Sequence, residues 1–156
     1  MIKLSRVDHR LIHGQVAFSW SKFLGIDLIL IPSDSIVHDD LRISMLRIAK
    51  PDNMKLIIKN IAESVEAINT GKTDKYKMMI LFESVEDAYN LISQCPSIKE
   101  LNLGGMKNSS ERRQISKAVH LSDTDIKNIT ELVENGVDVT VQLVPDDDKV
   151  QIMSLL

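Results

Sequence analysis

Apolar and polar positions change period repeatedly along this chain. From Ile2 to Val7 they alternate, the pattern of a strand, and from Gly14 to Leu24 the apolar residues Val16, Ala17, Trp20, Phe23 and Leu24 recur at helical spacing until Gly25. Leu28-Ile29-Leu30-Ile31 is a continuous apolar run, the form taken by strands buried on both faces, and it closes at Pro32. Helical spacing returns from about Val37 to Ala49 through Leu41, Met45, Leu46 and Ile48, and Pro51 ends it. Met54 to Ile58 predicts a third strand and Ile61 to Asn69 a third helix stopped at Gly71. Tyr76 to Phe82 predicts a fourth strand, with Ser84 as the cap of a helix reaching about Gln94 and Asp87 in its first turn. A fifth strand covers Glu100 to Leu103 and a short sixth Ala118 to Leu121. Ser122 and Asp125 form a capping box for a helix from Asp123 to Glu134, closed by Asn135-Gly136. Val137 to Val144 alternates as a last strand, and Asp146 to Leu156 reads as a final short helix.

Strand and helix thus alternate for most of the length. That order predicts an α/β fold: an open, mostly parallel, doubly wound sheet with helices on both faces and one antiparallel edge strand. No repeat, low-complexity tract or Pro-, Gly- or Ser-rich linker divides the chain, so residues 1–156 are expected to form a single domain. Met106 to Ser116 is the longest stretch without a clear period.

Composition narrows the picture modestly. With 44% apolar and 26% charged residues the chain is of ordinary globular type, and a net charge of -3 argues against nucleic-acid binding by bulk electrostatics. Cys95, the single cysteine, has no internal partner for a disulfide and reads as a packing residue. The chain shows no signal-peptide pattern and no apolar run near the roughly 20 residues that span a bilayer, so a soluble cytoplasmic protein is expected.

In sheets of this type ligands sit beyond the carboxyl ends of the strands. Four loops meet that condition: His9 to Gly14, Ser33 to Val37, Glu83-Ser84, and Gly104 to about Arg113. The first is the richest chemically, with Asp8, His9, Arg10, His13 and Gly14 at a strand-to-helix junction. His13 stands just before a helix start, where backbone N–H groups are unpaired and the helix dipole favours an anion. A neutral imidazole there can act as a nucleophile toward phosphorus, with Arg10 and the amides holding the oxygens; equally, it can be a structural residue bonded to the turn. His9 and His13 lie four apart but straddle the junction, with no glutamate after His9 and no cysteine ligands, so no metal site is expected. Gly104-Gly105 belongs to neither a dinucleotide nor a Walker pattern; it leaves room at the rim, to which Lys107, Arg112 and Arg113 add positive charge.

Arg6-Val7-Asp8-x-Arg10-Leu11-Ile12-His13-Gly14-Gln15-Val16 strongly resembles the signature of the IIB components of the mannose/fructose/sorbose class of the phosphoenolpyruvate-dependent sugar phosphotransferase system. Trp20, the Asn102-Leu103-Gly104-Gly105-Met106 loop and the stretch from Asn135-Gly136-Val137 through Gln142-Leu143-Val144-Pro145 extend the likeness over essentially the whole chain. The resemblance implies a protein-N-phosphohistidine–sugar phosphotransferase. In it, His13 takes a phosphoryl group from a IIA phosphohistidine, on Nδ1, and passes it to a sugar. It further implies Arg10 against the phosphoryl oxygens, positioning roles for Arg6 and Asp8, and a supporting loop set of Gly14, Asp34, Gly104, Gly105 and Lys107. The expected partners are a IIA donor, membrane IIC and IID components that hold the protein at the inner membrane face, and the sugar; no cofactor, nucleotide or metal is implied. His9 departs from the family, which usually has an acid there, and Ser33-Asp34 stands where many relatives have Asn-Asp. A non-catalytic module that senses sugar supply by docking partners is the alternative; it would not need the nucleophile that His13 supplies.

Overall fold

Leu28, Ile29, Leu30 and Ile31 are all buried because the strand they form is covered on both sides. Leu28 and Leu30 enter the larger of two cores, Ile29 and Ile31 the smaller, as the two-residue period of a strand requires. The computed structural model describes all 156 residues. Its main sheet has seven strands, in the order β3 (Lys55–Lys59), β2 (Leu28–Pro32), β4 (Met78–Phe82), β1 (Ile2–Asp8), β5 (Glu100–Gly105), β8 (Asp138–Val141) and β9 (Val150–Gln151). All neighbours pair in parallel except β9, which runs antiparallel to β8 at the edge.

The helices α1 (Gly14–Leu24) and α2 (Asp40–Ala49) cover one face, burying Ala17, Trp20 and Leu46 in the smaller core. The opposite face is covered by α3 (Ile61–Asn69), α4 (Val85–Ile92) and α5 (Asp123–Glu134) through Ile68, Leu91, Ile129 and Leu132. The layering is the doubly wound α/β arrangement that the alternation of periods predicts. The loop after β1 therefore leads to one face, while the loops after its neighbours β4 and β5 lead to the other. A crevice opens where loops diverge in this way, and its centre here is the carboxyl end of β1.

Three elements differ from the expectations above. The tail is not a helix: β9 joins the sheet edge, then one 3-10 turn over Ile152–Ser154 buries Ile152. Ala118 to Leu121 contributes only β7 (His120–Leu121), and this pairs antiparallel with β6 (Arg113–Gln114) in a separate two-stranded ribbon, outside the main sheet. The helix expected over Val37 to Ala49 is broken, with a 3-10 turn at Ile36–His38 and α2 starting anew after Asp39, whose carboxylate caps the Arg42 N–H. On α2, Leu41, Met45 and Ile48 are 74%, 61% and 85% exposed, so its apolar stripe faces outward and Leu46 alone is buried. No helix is long and apolar enough to cross a membrane. Cys95 is fully buried, and burial pushes its thiol up to about 11.

Candidate functional site

The turn after β1 is built by Asp8. Its backbone carbonyl accepts the Leu11 N–H at 2.9 Å, and its side chain accepts the Arg10 N–H at 3.1 Å, so carboxylate and backbone close the same turn. Leu11 is buried with φ 57°, the one non-glycine residue in the left-handed region, and Gly14 follows at φ 45°. A leucine held there costs roughly 1–2 kcal/mol, which the burial of its side chain against the smaller core offsets. Gly14 meets nothing within 4 Å of where a Cβ would stand; its need for glycine comes from the backbone angle, and the space beside it is open.

Asp8 is held from below by Arg6, a guanidinium that is only 1% exposed. Arg6 Nη2 reaches Asp8 Oδ2 at 3.4 Å and donates to the Leu143 carbonyl at 3.0 Å. Its Nη1 donates to the Asn102 side chain and, at 2.9 Å, to the Gln142 carbonyl. The Trp20 ring lies 5.4 Å away over the guanidinium, with its own Nε1 donating to Leu143 at 3.0 Å. Burial draws Arg6 down to about 10, against the pull of Asp8, so it stays charged at neutral pH. Gly104 completes this cage, since a Cβ on it would overlap the guanidinium. The diglycine therefore makes room for Arg6 instead of clearing the rim: Gly105 has only ordinary contact with Asp8, and its carbonyl accepts the His9 N–H at 3.0 Å.

His13 occupies the N-cap position of α1 in extended conformation, and its side chain caps nothing. No acid lies in the first turn of α1. Every other α-helix starts differently: Asp39, Asn60, Ser84 and Ser122 each accept an N–H from their helix, and each of those first turns carries an acid. The start of α1 thus keeps its free donors and its positive dipole end. Burial pushes the His13 imidazole below its ordinary 6.5, opposed by the Asp8 carboxylate and assisted by the Arg10 guanidinium. Its Nδ1 is buried without a hydrogen-bond partner. Arg10, with a side chain 47% exposed, anchors its Nε 3.6 Å from Asp8 Oδ1, and no other side-chain bond engages it.

The remaining expected positions divide into two groups. His9 and Lys107 line a cleft of about 460 Å³ with Arg42, Glu83, Arg112 and Asp125, between the loops that follow β1, β4 and β5. Asp34 is engaged elsewhere, its carboxylate accepting the Ile61 N–H at 2.9 Å at the start of α3. Asn102 and Gln142, which stood only within motifs, are holders of Arg6, through the Asn102 side chain and the Gln142 carbonyl. A signal for them was present, since both are polar residues at strand positions flanked by apolar ones, where an unpaired polar group is costly.

The similarities of the chain to known proteins fall within one family. A family model described as the PTS system sorbose subfamily IIB component matches residues 2–156. The chain is 34% identical over 155 residues to the PTS system fructose-specific EIIB component of Bacillus subtilis (strain 168), spanning 97% of this chain and 95% of that relative. It is 30% identical over 156 residues to the PTS system mannose-specific EIIAB component of Escherichia coli (strain K12), of which it spans 48%. Among solved structures, the IIBSor domain of the sorbose permease from Klebsiella pneumoniae matches with a TM-score of 0.93 at 33% identity, over 99% of this chain and 94% of that one.

Proposed function

Because the chain belongs to the sorbose subfamily of phosphotransferase-system IIB components, we propose that it is a phosphoryl carrier working through His13. The observation that supports this most strongly is the start of α1, the one α-helix that begins without a side-chain cap or an acid and has an imidazole at its N-cap. In the first step the neutral His13 ring attacks the phosphorus of a IIA phosphohistidine; the donor's N–P bond breaks as the new one forms. The Gly14, Gln15 and Val16 amides and the Arg10 guanidinium take up the phosphoryl oxygens, in the manner of fixed donors aimed at developing charge. In the second step a sugar hydroxyl attacks the same phosphorus, the His13 N–P bond breaks as the O–P bond forms, and the hydroxyl proton passes to solvent, leaving His13 neutral. Asp8 positions Arg10, and Arg6 positions Asp8.

The depressed basicity of His13 serves this chemistry, since it keeps the lone pair free at neutral pH. Presenting Nδ1 to a donor requires a half-turn of the ring about its Cβ–Cγ bond, a torsion with two broad, similar wells. The IIA donor, membrane IIC and IID components and the sugar are the partners of this reading, which sets the protein at the inner face of the membrane through them. The test is incubation with phosphorylated IIA, followed by measurement of acid-labile, base-stable label. Wild-type protein takes up label and His13→Ala takes up none; normal uptake by His13→Ala would overturn the assignment.

A further inference from the structure

A cavity of about 330 Å³ lies under α1, on the face of the sheet that α1 covers only in part. Its size falls at the lower end of ligand pockets, about 300–1000 Å³. One wall is apolar, made by Leu4, Trp20, Phe23 and Pro145, and Phe23 stands 67% exposed at its mouth with no protein group covering it. The floor is polar, from Thr140 on β8 and Gln142 just beyond it. Gln142 is 6% exposed, and its Oε1 is buried with no hydrogen-bond partner in the chain. Which end of that amide is oxygen follows from its Nε2, which donates to the Pro145 carbonyl at 3.2 Å and the Asp147 carbonyl at 2.8 Å. Gln142 and Thr140 both line the floor, and Gln142 holds just behind it an acceptor lacking a donor.

A hydroxyl-bearing ligand suits this floor, because each hydroxyl can donate to Gln142 while accepting from Thr140. The apolar wall suits the C–H face of a saturated ring, which packs well on aromatic side chains. The rim carries no net charge, Lys3 and Lys149 being balanced by Glu100 and Asp138, and the nearby Arg6 charge is enclosed and paired with Asp8. We propose that this cavity is a binding site for a neutral, hydroxyl-rich ligand of monosaccharide size, separate from the phosphoryl site at His13. The proposal goes beyond the carrier reading and does not depend on it. Such a ligand touches Asn102, Gln142 and Trp20, three of the residues that cage Arg6, and so lies against the back of the support for Asp8.

Trp20 is the only tryptophan, so its fluorescence reads this wall directly. The test titrates unphosphorylated protein, with no phosphoryl donor present, with hexoses, N-acetylhexosamines, hexitols and a hexose 6-phosphate. Expected is a saturable change with at least one neutral sugar or hexitol, weaker binding of the hexose phosphate, and an affinity about tenfold lower in Phe23→Ala. His13→Ala binds as wild type does, which separates this result from the phosphoryl-carrier test. A flat response to every neutral compound overturns the proposal, as does a response that Phe23→Ala leaves unchanged or that the hexose phosphate gives more strongly.

Discussion

The starts of α1 and α5 face the same physical problem and solve it in opposite ways. Both expose unpaired N–H groups at the positive end of a helix dipole. At α5, Ser122 accepts the Asp125 N–H at 3.1 Å, Asp125 accepts the Ser122 N–H at 3.1 Å, and Asp123 adds a second acid. At α1 nothing in the chain answers that demand: an imidazole replaces the capping oxygen and glutamine and valine fill the first turn after Gly14. A helix that serves only the fold satisfies its own end; α1 leaves its end unsatisfied, beside a guanidinium and a neutral imidazole, and in the proposed reading an anion from outside fills it. The start of α4 is a third case, with Glu86 and Asp87 in its first turn and Glu83 and Asp34 near enough to act on Asp87.

The largest effect is expected beneath the open end. Arg6→Ala leaves Asp8 with only the half-exposed Arg10 as a charged partner and frees the acceptors on Asn102, Gln142 and Leu143, at a cost of about 3 kcal/mol in urea unfolding. An unchanged midpoint would show that the loop does not rest on this cage. The comparison itself is tested by giving α1 what α5 has. Gln15→Glu places a carboxylate at the dipole end, adding about 0.5 kcal/mol of stability while slowing phosphoryl uptake about tenfold by repulsion. Ser122→Ala does the reverse, costing about 1 kcal/mol of stability and leaving uptake as it was. Equal effects of the two substitutions on uptake would erase the distinction between the two helix ends.

The smallest effect belongs to α4. Burial, reinforced by Glu83, Glu86 and Asp34, pushes the Asp87 carboxyl up to about 6 from 3.8. Between those values the folded protein binds more protons than the unfolded chain, so this group lowers stability as pH rises through that window, fully above it and not at all below. Asp87→Asn should therefore stabilise the protein by no more than about 1 kcal/mol at pH 7, because solvent screens a half-exposed site, and the gain should vanish by about pH 4. A gain that persists in acid would locate the cause elsewhere.

Local signals account for what could be read from the chain. Gly25 ends α1 at φ 65° and the Ser122 box begins α5, and both boundaries were visible because the groups that set them are neighbours in sequence. The outward turn of Leu41, Met45 and Ile48 was not visible, since periodicity marks a stripe without saying which way it faces. The tail misled for a related reason: its apolar spacing suits a helix, but the antiparallel pairing of Thr140 with Gln151 and Val141 with Val150 overrides it. At the site, the dense chemistry of Asp8 to Gly14 was legible as a cluster. The support was not, because Arg6 meets Asn102 and the Gln142 carbonyl 96 and 136 residues away. The space beside Gly104 likewise acquires its meaning only once Arg6 is seen to fill it.

The central claim is that the unfilled start of α1 holds a phosphoryl group carried by His13. Amide proton and nitrogen chemical shifts, followed by NMR while phosphorylated IIA charges the protein, test it most directly. The account predicts large shifts at Gly14, Gln15 and Val16 together with phosphorylation of His13, and none at Asp123, Thr124 and Asp125. Phosphorylation at His9 instead, or phosphorylation of His13 with the first-turn amides of α1 unmoved, would contradict it.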